Sequence, residues 1–328
     1  MPEQRESLLD TEHDELLYNT QLTHRLTLYP LGIPAHFESN SPEVISFLHA
    51  GWGHFQPQFD FAPVQLSIVV RSIEHQAPLP LPVFRCRRHL MSVTADAANF
   101  AACDLKTGYA CAWITQHTAA DIVYLRDSFT DALLLSMLNT RYLAPIHAAC
   151  VVRGDDAVLF CGDSGSGKSS LALACALGGW SLLCDDATFL VRGFDDLTVT
   201  GDPFLMRFKP EALRLFPQLD GRSVVNRING KPTIHLPTSE LPQISTVQRA
   251  NARYLVFLRR GAHGEARLIR RRDDVLHLLR IPAYGDAQDL AEQDAALHRL
   301  SSVPAFDFHY SGLDEAVECL GHLFRKGG

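Results

Sequence analysis

The stretch from Ala157 to Val191, AVLFCGDSGSGKSSLALACALGGWSLLCDDATFLV, decides how this chain is read. Its first five residues form an apolar run with strand composition, and SSLALACALGG, 169–179, has the pattern of an apolar helix stopped by glycine. Between them Gly162-Asp163-Ser164-Gly165-Ser166-Gly167-Lys168-Ser169 fits the pattern G-x-x-x-x-G-K-[ST]. The chemistry behind that pattern is concrete. Successive backbone N–H groups converge on phosphate oxygens only where no side chain intervenes, and Gly165 and Gly167 permit that approach. Lys168 supplies a point charge to the β- and γ-phosphates, the Ser169 hydroxyl can ligate Mg²⁺, and the helix beginning near Lys168 adds its positive N-terminal end. The phosphate-binding candidates are therefore Gly162, Asp163, Ser164, Gly165, Ser166, Gly167, Lys168, Ser169 and Ser170.

After the helix, WSLLCDD reads as a short strand ending in Asp185-Asp186. Carboxylates at a strand end beside such a loop hold Mg²⁺ or its water, and strand alternation sends the two side chains to different sides. One can face a metal while the other faces a reacting hydroxyl; a solvated turn or helix cap accounts for many Asp-Asp pairs, but the placement beside the loop counts against it here. Upstream, LAPIHAACVVRGDDAVLFCG places His147 at the start of a strand that pairs with the 157–161 strand through a turn at Gly154-Asp155-Asp156.

Taken together, IHAAC, GDSGSGKSSLAL and LLCDD, in that order, resemble the catalytic domain of the HPr kinase/phosphorylase family, kinases that act on serine in a phosphocarrier protein. The resemblance runs from Ala144 to about Phe189. It implies a P-loop α/β kinase core similar to the phosphoenolpyruvate carboxykinase nucleotide domain. By resemblance, Lys168 and the loop amides bind ATP, and Ser169 with Asp185 ligates Mg²⁺. Asp186 is then the general base, and His147 sits beside that carboxylate and the transferring phosphoryl. The family's later Pro-Gly-Arg signature is not found here, and the N-terminal part does not resemble the family's regulatory domain. The chain looks more like divergent relatives that phosphorylate a hydroxyl of a protein, a peptide or a small molecule. Two other readings stay open: a nucleotide-binding regulatory or assembly module with slow ATPase activity, and a carboxykinase-type enzyme acting on a small carboxylate. The resemblance also suggests a homo-oligomer.

The rest of the chain frames this stretch. Residues 1–140 read as a small α+β region and 141–328 as the α/β catalytic domain. The first twenty residues are polar and acidic, a mobile arm or short helix. SPEVISFLHAGWG reads as a helix capped by Ser41 and opened by Pro42, and VQLSIVVRSIE as a strand. Short strands follow over 89–115 with DLKTGY as a hairpin turn, then a helix over 127–143 that Pro145 ends. RYLVFLRRG and ARLIRR read as strands, and DAQDLAEQDAALHRL and GLDEAVECLGHLF as helices. Arg207, Lys209, Arg214, Arg222, Arg227 and Lys231 could each reach a phosphate or an acceptor, although scattered surface charge is the commoner explanation. Arg259, Arg260 and Arg270 to Arg272 read as a solvated strand edge, or less often as an interface to an acidic partner.

A formal net charge of −7 argues against a nucleic-acid partner, which selects a basic face. Eight cysteines show neither a CxxC pair nor zinc spacing, and several lie in apolar runs. No segment reaches the roughly 18 to 20 apolar residues of a membrane span. With no apolar stretch of signal-peptide type near the N-terminus, a reduced cytoplasm and no membrane partner are the expectation.

Overall fold

The computed structural model describes residues 20–73, 78–226, 230–261 and 263–324. Of the sequence expectations, the acidic arm (all but Thr20) and Arg227 lie outside them. The chain is a mixed α/β protein with three sheets among the described residues and modest helical content. It divides into two compact units, Met1–Arg141 and Tyr142–Gly328.

The first unit holds strands β1 (His24–Leu28), β2 (Ala35–Ser39), β3 (Val64–Arg71), β4 (Val83–Arg87), β5 (Leu90–Thr94), β6 (Phe100–Asp104) and β7 (Tyr109–Thr115). They form one sheet in the order β1-β2-β3-β7-β6-β5-β4, with β3 parallel to both β2 and β7. Helix α1 (Pro42–Trp52) begins where its sequence says it must: the Ser41 hydroxyl accepts from the Val44 N–H at 3.3 Å, and Pro42 occupies the first turn. The β6–β7 turn is the DLKTGY hairpin, its Asp104 carboxylate accepting from the Lys106 and Thr107 amides. Between β7 and the end of the unit lie α2 (Gln116–Ala120), α3 (Ile122–Leu125), a π-helical turn over Arg126–Thr130 and α4 (Asp131–Arg141).

The second unit is built on a ten-stranded sheet. Its strands are β8 (Leu143–Ile146), β9 (Ala148–Arg153), β10 (Asp156–Cys161), β11 (Ser181–Cys184), β12 (Thr188–Val191), β13 (Thr198–Gly201), β17 (Ser245–Thr246), β18 (Arg249–Arg260), β19 (Arg267–Arg270) and β20 (Ala305–Tyr310). A separate three-stranded sheet, in the order β14-β16-β15, is made by β14 (Leu205–Phe208), β15 (Val224–Asn226) and β16 (Pro232–Pro237). Helices α5 (Lys168–Leu177), α6 (Leu276–Leu279), α7 (Ala287–Leu300) and α8 (Leu313–Gly321) complete the unit.

The centre of the large sheet reads as continuous apolar sequence because both of its faces are covered. Val151, Val158, Phe160, Val256 and Leu258 point into one core with α5, α8 and the small sheet. Their neighbours Cys150, Leu159, Cys161, Leu255 and Phe257 point into a second core with α6 and α7. Strand β10 forms an antiparallel hairpin with β9 and lies parallel to β18. Helix α5 ends in a Schellman motif: Gly179 adopts φ +88°, its N–H reaches the Ala176 carbonyl, and the Trp180 N–H reaches that of Cys175.

Pro145 corrects one expectation. The helix ends at Arg141, and Pro145 lies inside β8, opposite Phe189 of β12. Strand β8 is an edge of the sheet, so the missing N–H costs no ladder bond there. The helix over 127–143 also begins differently, since Arg126–Thr130 is wound as a π-turn.

Phe160 is fully buried in the core beneath the glycine-rich loop. Phe160→Ala is expected to lower unfolding free energy by about 3–5 kcal/mol. Equilibrium denaturation in urea checks it, and a loss below about 1 kcal/mol would contradict this burial.

Candidate active site

Residues Gly162 to Gly167 carry the chain from the buried strand β10 to the first turn of α5. Gly162, Gly165 and Gly167 all have positive φ. At Gly167, φ is +100°, and a Cβ would stand 2.5 Å from the Tyr310 hydroxyl. A Cβ on Gly165 would stand 3.2 Å from Lys209 Nζ. Tyr310 in turn donates its hydroxyl to the Ser166 carbonyl at 3.2 Å, so β20 braces the loop from behind. No side chain caps α5 and its first turn holds no carboxylate, which leaves the N-terminal amides and the positive helix end available to an anion.

Lys168 is the hub of the site. Its buried Nζ donates to the carbonyls of Gly162 at 2.7 Å and Asp163 at 3.2 Å, and lies 3.0 Å from His147 Nε2. Burial pulls the ammonium pKa below the usual lysine range, and the Asp186 carboxylate works against that. An ammonium only donates, so a charged Lys168 requires His147 Nε2 to accept. The neutral ring then carries its proton on Nδ1, which faces Asp186 Oδ1 at 3.4 Å. Lys168, His147 and Asp186 thus form one continuous polar chain. His147 and Asp186 are both about half exposed, with side chains 46% and 44% accessible.

The two aspartates part company at the end of β11. Asp185 is buried, accepts from the Arg207 N–H at 2.6 Å through its carboxylate, and accepts from the Ser169 hydroxyl at 3.3 Å through its carbonyl. Burial drives its carboxyl pKa up to about 7, against the pull of the Arg207 guanidinium and amide.

These groups open on a cleft of about 950 Å³ within the second unit. Of the sequence candidates, Ser164, Gly165, Gly167, Lys168, Ser169, Ser170, His147 and Asp186 line it. Gly162, Asp163 and Ser166 do not line it, and neither does Asp185, expected as a metal ligand, whose buried carboxylate is taken by the Arg207 amide. Arg207, Lys209, Arg214 and Lys231 also line the cleft. Arg222 does not; it bonds the Gln218 and His235 carbonyls and pairs with Glu240.

The sequence reading grouped Arg260 with a solvated edge, yet it lines the cleft beside Gly167. Two others of that group have structural partners: Arg259 pairs with Asp307, and Arg271 with Asp273 and Asp307. Tyr310 was also missed, because a tyrosine ending a strand nearly 150 residues downstream carries no local mark of a loop contact. Among the described residues no group of three or more His, Cys, Asp or Glu side chains is arranged to hold a metal by itself. No helix among them is long and apolar enough to cross a membrane.

Two outcomes follow from this geometry. Gly167→Ala is expected to cost about 1–3 kcal/mol in unfolding free energy, since the residue needs positive φ and its Cβ meets Tyr310. A thermal or denaturant midpoint unchanged from the parent would overturn that. Asp185 has a folded-state pKa raised from 3.8 to about 7, so the folded state holds the extra proton between those values. Its contribution to stability is greatest below about 3.8 and declines as pH rises through about 7. Asp185→Asn keeps an acceptor for the Arg207 amide and removes the titration. The stability of the variant minus that of the parent should therefore grow between pH 4 and about 7, measured in metal-free urea titrations. A pH-independent difference would contradict the buried carboxyl.

No family model matches the chain, and no curated protein sequence matches it. Among solved structures, the Hpr(Ser) kinase/phosphatase from Coxiella burnetii aligns with 56% of this chain and 99% of its own, at 14% identity and a TM-score of 0.33.

Proposed function

We propose that the chain is an ATP-dependent phosphotransferase that moves the γ-phosphoryl group to a serine or similar hydroxyl of a protein, peptide or small molecule. The observation that carries this reading is the polar chain Lys168–His147–Asp186 at the mouth of an uncapped helix N-terminus. In this reading the glycine-rich loop is a P-loop. Its three glycines take the positive φ such a turn requires, with no side chain of their own over the helix N-terminus. The Ser169 hydroxyl, which lines the cleft, would help hold Mg²⁺, whereas the Asp185 carboxylate is enclosed against the Arg207 amide and does not line the cleft. When bound, the ion would neutralise charge on the phosphates.

The remaining work falls to side chains already in position. Lys168 exchanges the Gly162 and Asp163 carbonyls for phosphate oxygens. Asp186, exposed to the cleft and oriented by the His147 Nδ1–H, takes the proton of the acceptor hydroxyl. Arg260 and Lys209 flank the loop where charge builds up during transfer.

The test is incubation with γ-labelled ATP and Mg²⁺ in a cell extract, following label into protein, small-molecule and free-phosphate fractions. Transfer is expected, with Lys168→Ala abolishing it. Asp186→Asn should retain nucleotide binding while losing about 10²–10⁴-fold in transfer rate. Release of phosphate alone would favour a regulatory module with slow ATPase activity. An absence of nucleotide binding would overturn the proposal.

A further inference from the structure

The sheet of the first unit ends on an open edge. Strand β4 is last in the order β1-β2-β3-β7-β6-β5-β4; it pairs antiparallel with β5 and has no strand beyond it among the described residues. A strand in that position turns unpaired N–H and C=O groups outward. Edges are commonly blunted by a proline or a bulge, and β4 has neither. Pro78, Pro80 and Pro82 stop short of it, and its register with β5 runs unbroken from Val83–Thr94 to Arg87–Leu90. All five of its residues are exposed, on both faces alike. Apolar surface is among them: Val83 is 48% exposed and Phe84 42%, with Leu81 just before the strand at 70%. The approach to the strand is nonetheless fixed, because the Tyr124 hydroxyl donates to the Pro80 carbonyl.

The two faces of β4 differ in chemistry. Alternation sets Arg85 and Arg87 on one face and Phe84 and Cys86 on the other. Both arginines line one groove of about 590 Å³, together with Leu90, Tyr109 and Trp113. Neither guanidinium has a hydrogen bond or ion pair among the described residues. The groove's one carboxylate, Asp104, is two strands away and accepts instead from the Lys106 and Thr107 amides. The formal net charge of −7 belongs to the whole chain, and at physiological ionic strength it is screened beyond about 8 Å. The two adjacent guanidinia therefore set the sign of charge that this edge accepts.

We propose that β4 is a docking edge, which takes up an extended acidic segment of another protein as an eighth strand of the sheet. The inference concerns the first unit alone and does not rest on the phosphotransferase reading. Main-chain pairing supplies affinity in such an addition, and the alternating side chains supply specificity. Every second residue of the added strand stands beside Arg85 and Arg87, where a carboxylate offsets their charge. The residues between stand beside Phe84, where an apolar side chain covers exposed ring. The fitting sequence thus alternates acidic and apolar residues. A second copy of this chain fits worse. Antiparallel pairing along the whole of β4 sets Arg85 opposite the copy's Arg85, and like charges directly opposite weaken a ladder.

The test titrates the full chain with the fluorescein-labelled peptide Glu-Val-Glu-Val-Glu-Val-Glu, read by anisotropy. Amide hydrogen exchange at Val83 to Arg87 is followed in parallel by NMR. The acidic peptide should bind, and the same peptide with lysine in place of glutamate should not. Arg85→Glu with Arg87→Glu should weaken the acidic peptide about tenfold or more and make the lysine peptide the better ligand. An unfolded variant would not show that reversal. A peptide with N-methylated valines, which cannot donate to a ladder, should lose binding. The outward amides of β4 should exchange freely in the unbound chain and slow when the peptide is added. The proposal is overturned if the acidic peptide does not bind, if its affinity ignores the arginine substitutions, or if the N-methylated peptide binds as well. Protection of every β4 amide in the unbound chain would also overturn it, by showing the edge taken by a second copy or by the chain's own N-terminal segment.

Discussion

The second unit depends on one constraint: six residues must lead from a strand buried on both faces into a buried helix while keeping side chains away from the helix end. Lys168 meets it from inside. By donating to the Gly162 and Asp163 carbonyls, it closes the loop on itself with the same ammonium that a phosphate would attract. In the phosphotransferase we propose, these bonds are the ones a phosphate would replace. Burial pulls the pKa of that ammonium down, and the Asp186 carboxylate works against it.

Asp185 and Asp186 show how adjacent carboxylates take different tasks from their surroundings. The first is enclosed and spent on the Arg207 amide, which ties the end of β11 to the start of the small sheet. The second stays half exposed and paired with His147. Because the tie and the exposed carboxylate are consecutive, the wall that carries Arg207, Lys209 and Arg214 is set relative to Asp186 through one short segment. Burial of Phe208, Ile234 and Leu236 against α5 makes that relation rigid.

Much of the local structure was legible in the sequence. Ser41 and Pro42 marked the start of α1, Gly178 and Gly179 the end of α5, and Gly154 the β9–β10 turn, because caps and turns are set by a few adjacent residues. The glycine pattern at 162–167 likewise states its own need for positive φ. Pro145 misled for a physical reason: proline stops a helix or sits at a sheet edge with equal ease, and only the strand order reveals the edge. The small sheet was not legible either, since β14, β15 and β16 are short and pair across intervals that carry no periodic signal.

The sequence alone determined the strand–loop–helix unit, its lysine and the pair of aspartates, since each rests on neighbours in the chain. Tertiary structure alone decided that His147 bridges Lys168 and Asp186, that Asp185 is enclosed, and that Arg260 and Tyr310 reach the loop. Those relations join residues 20 to nearly 150 positions apart. Which of many cations and carboxylates meet at such separations is fixed by strand order and core packing, and neither is written in any local pattern.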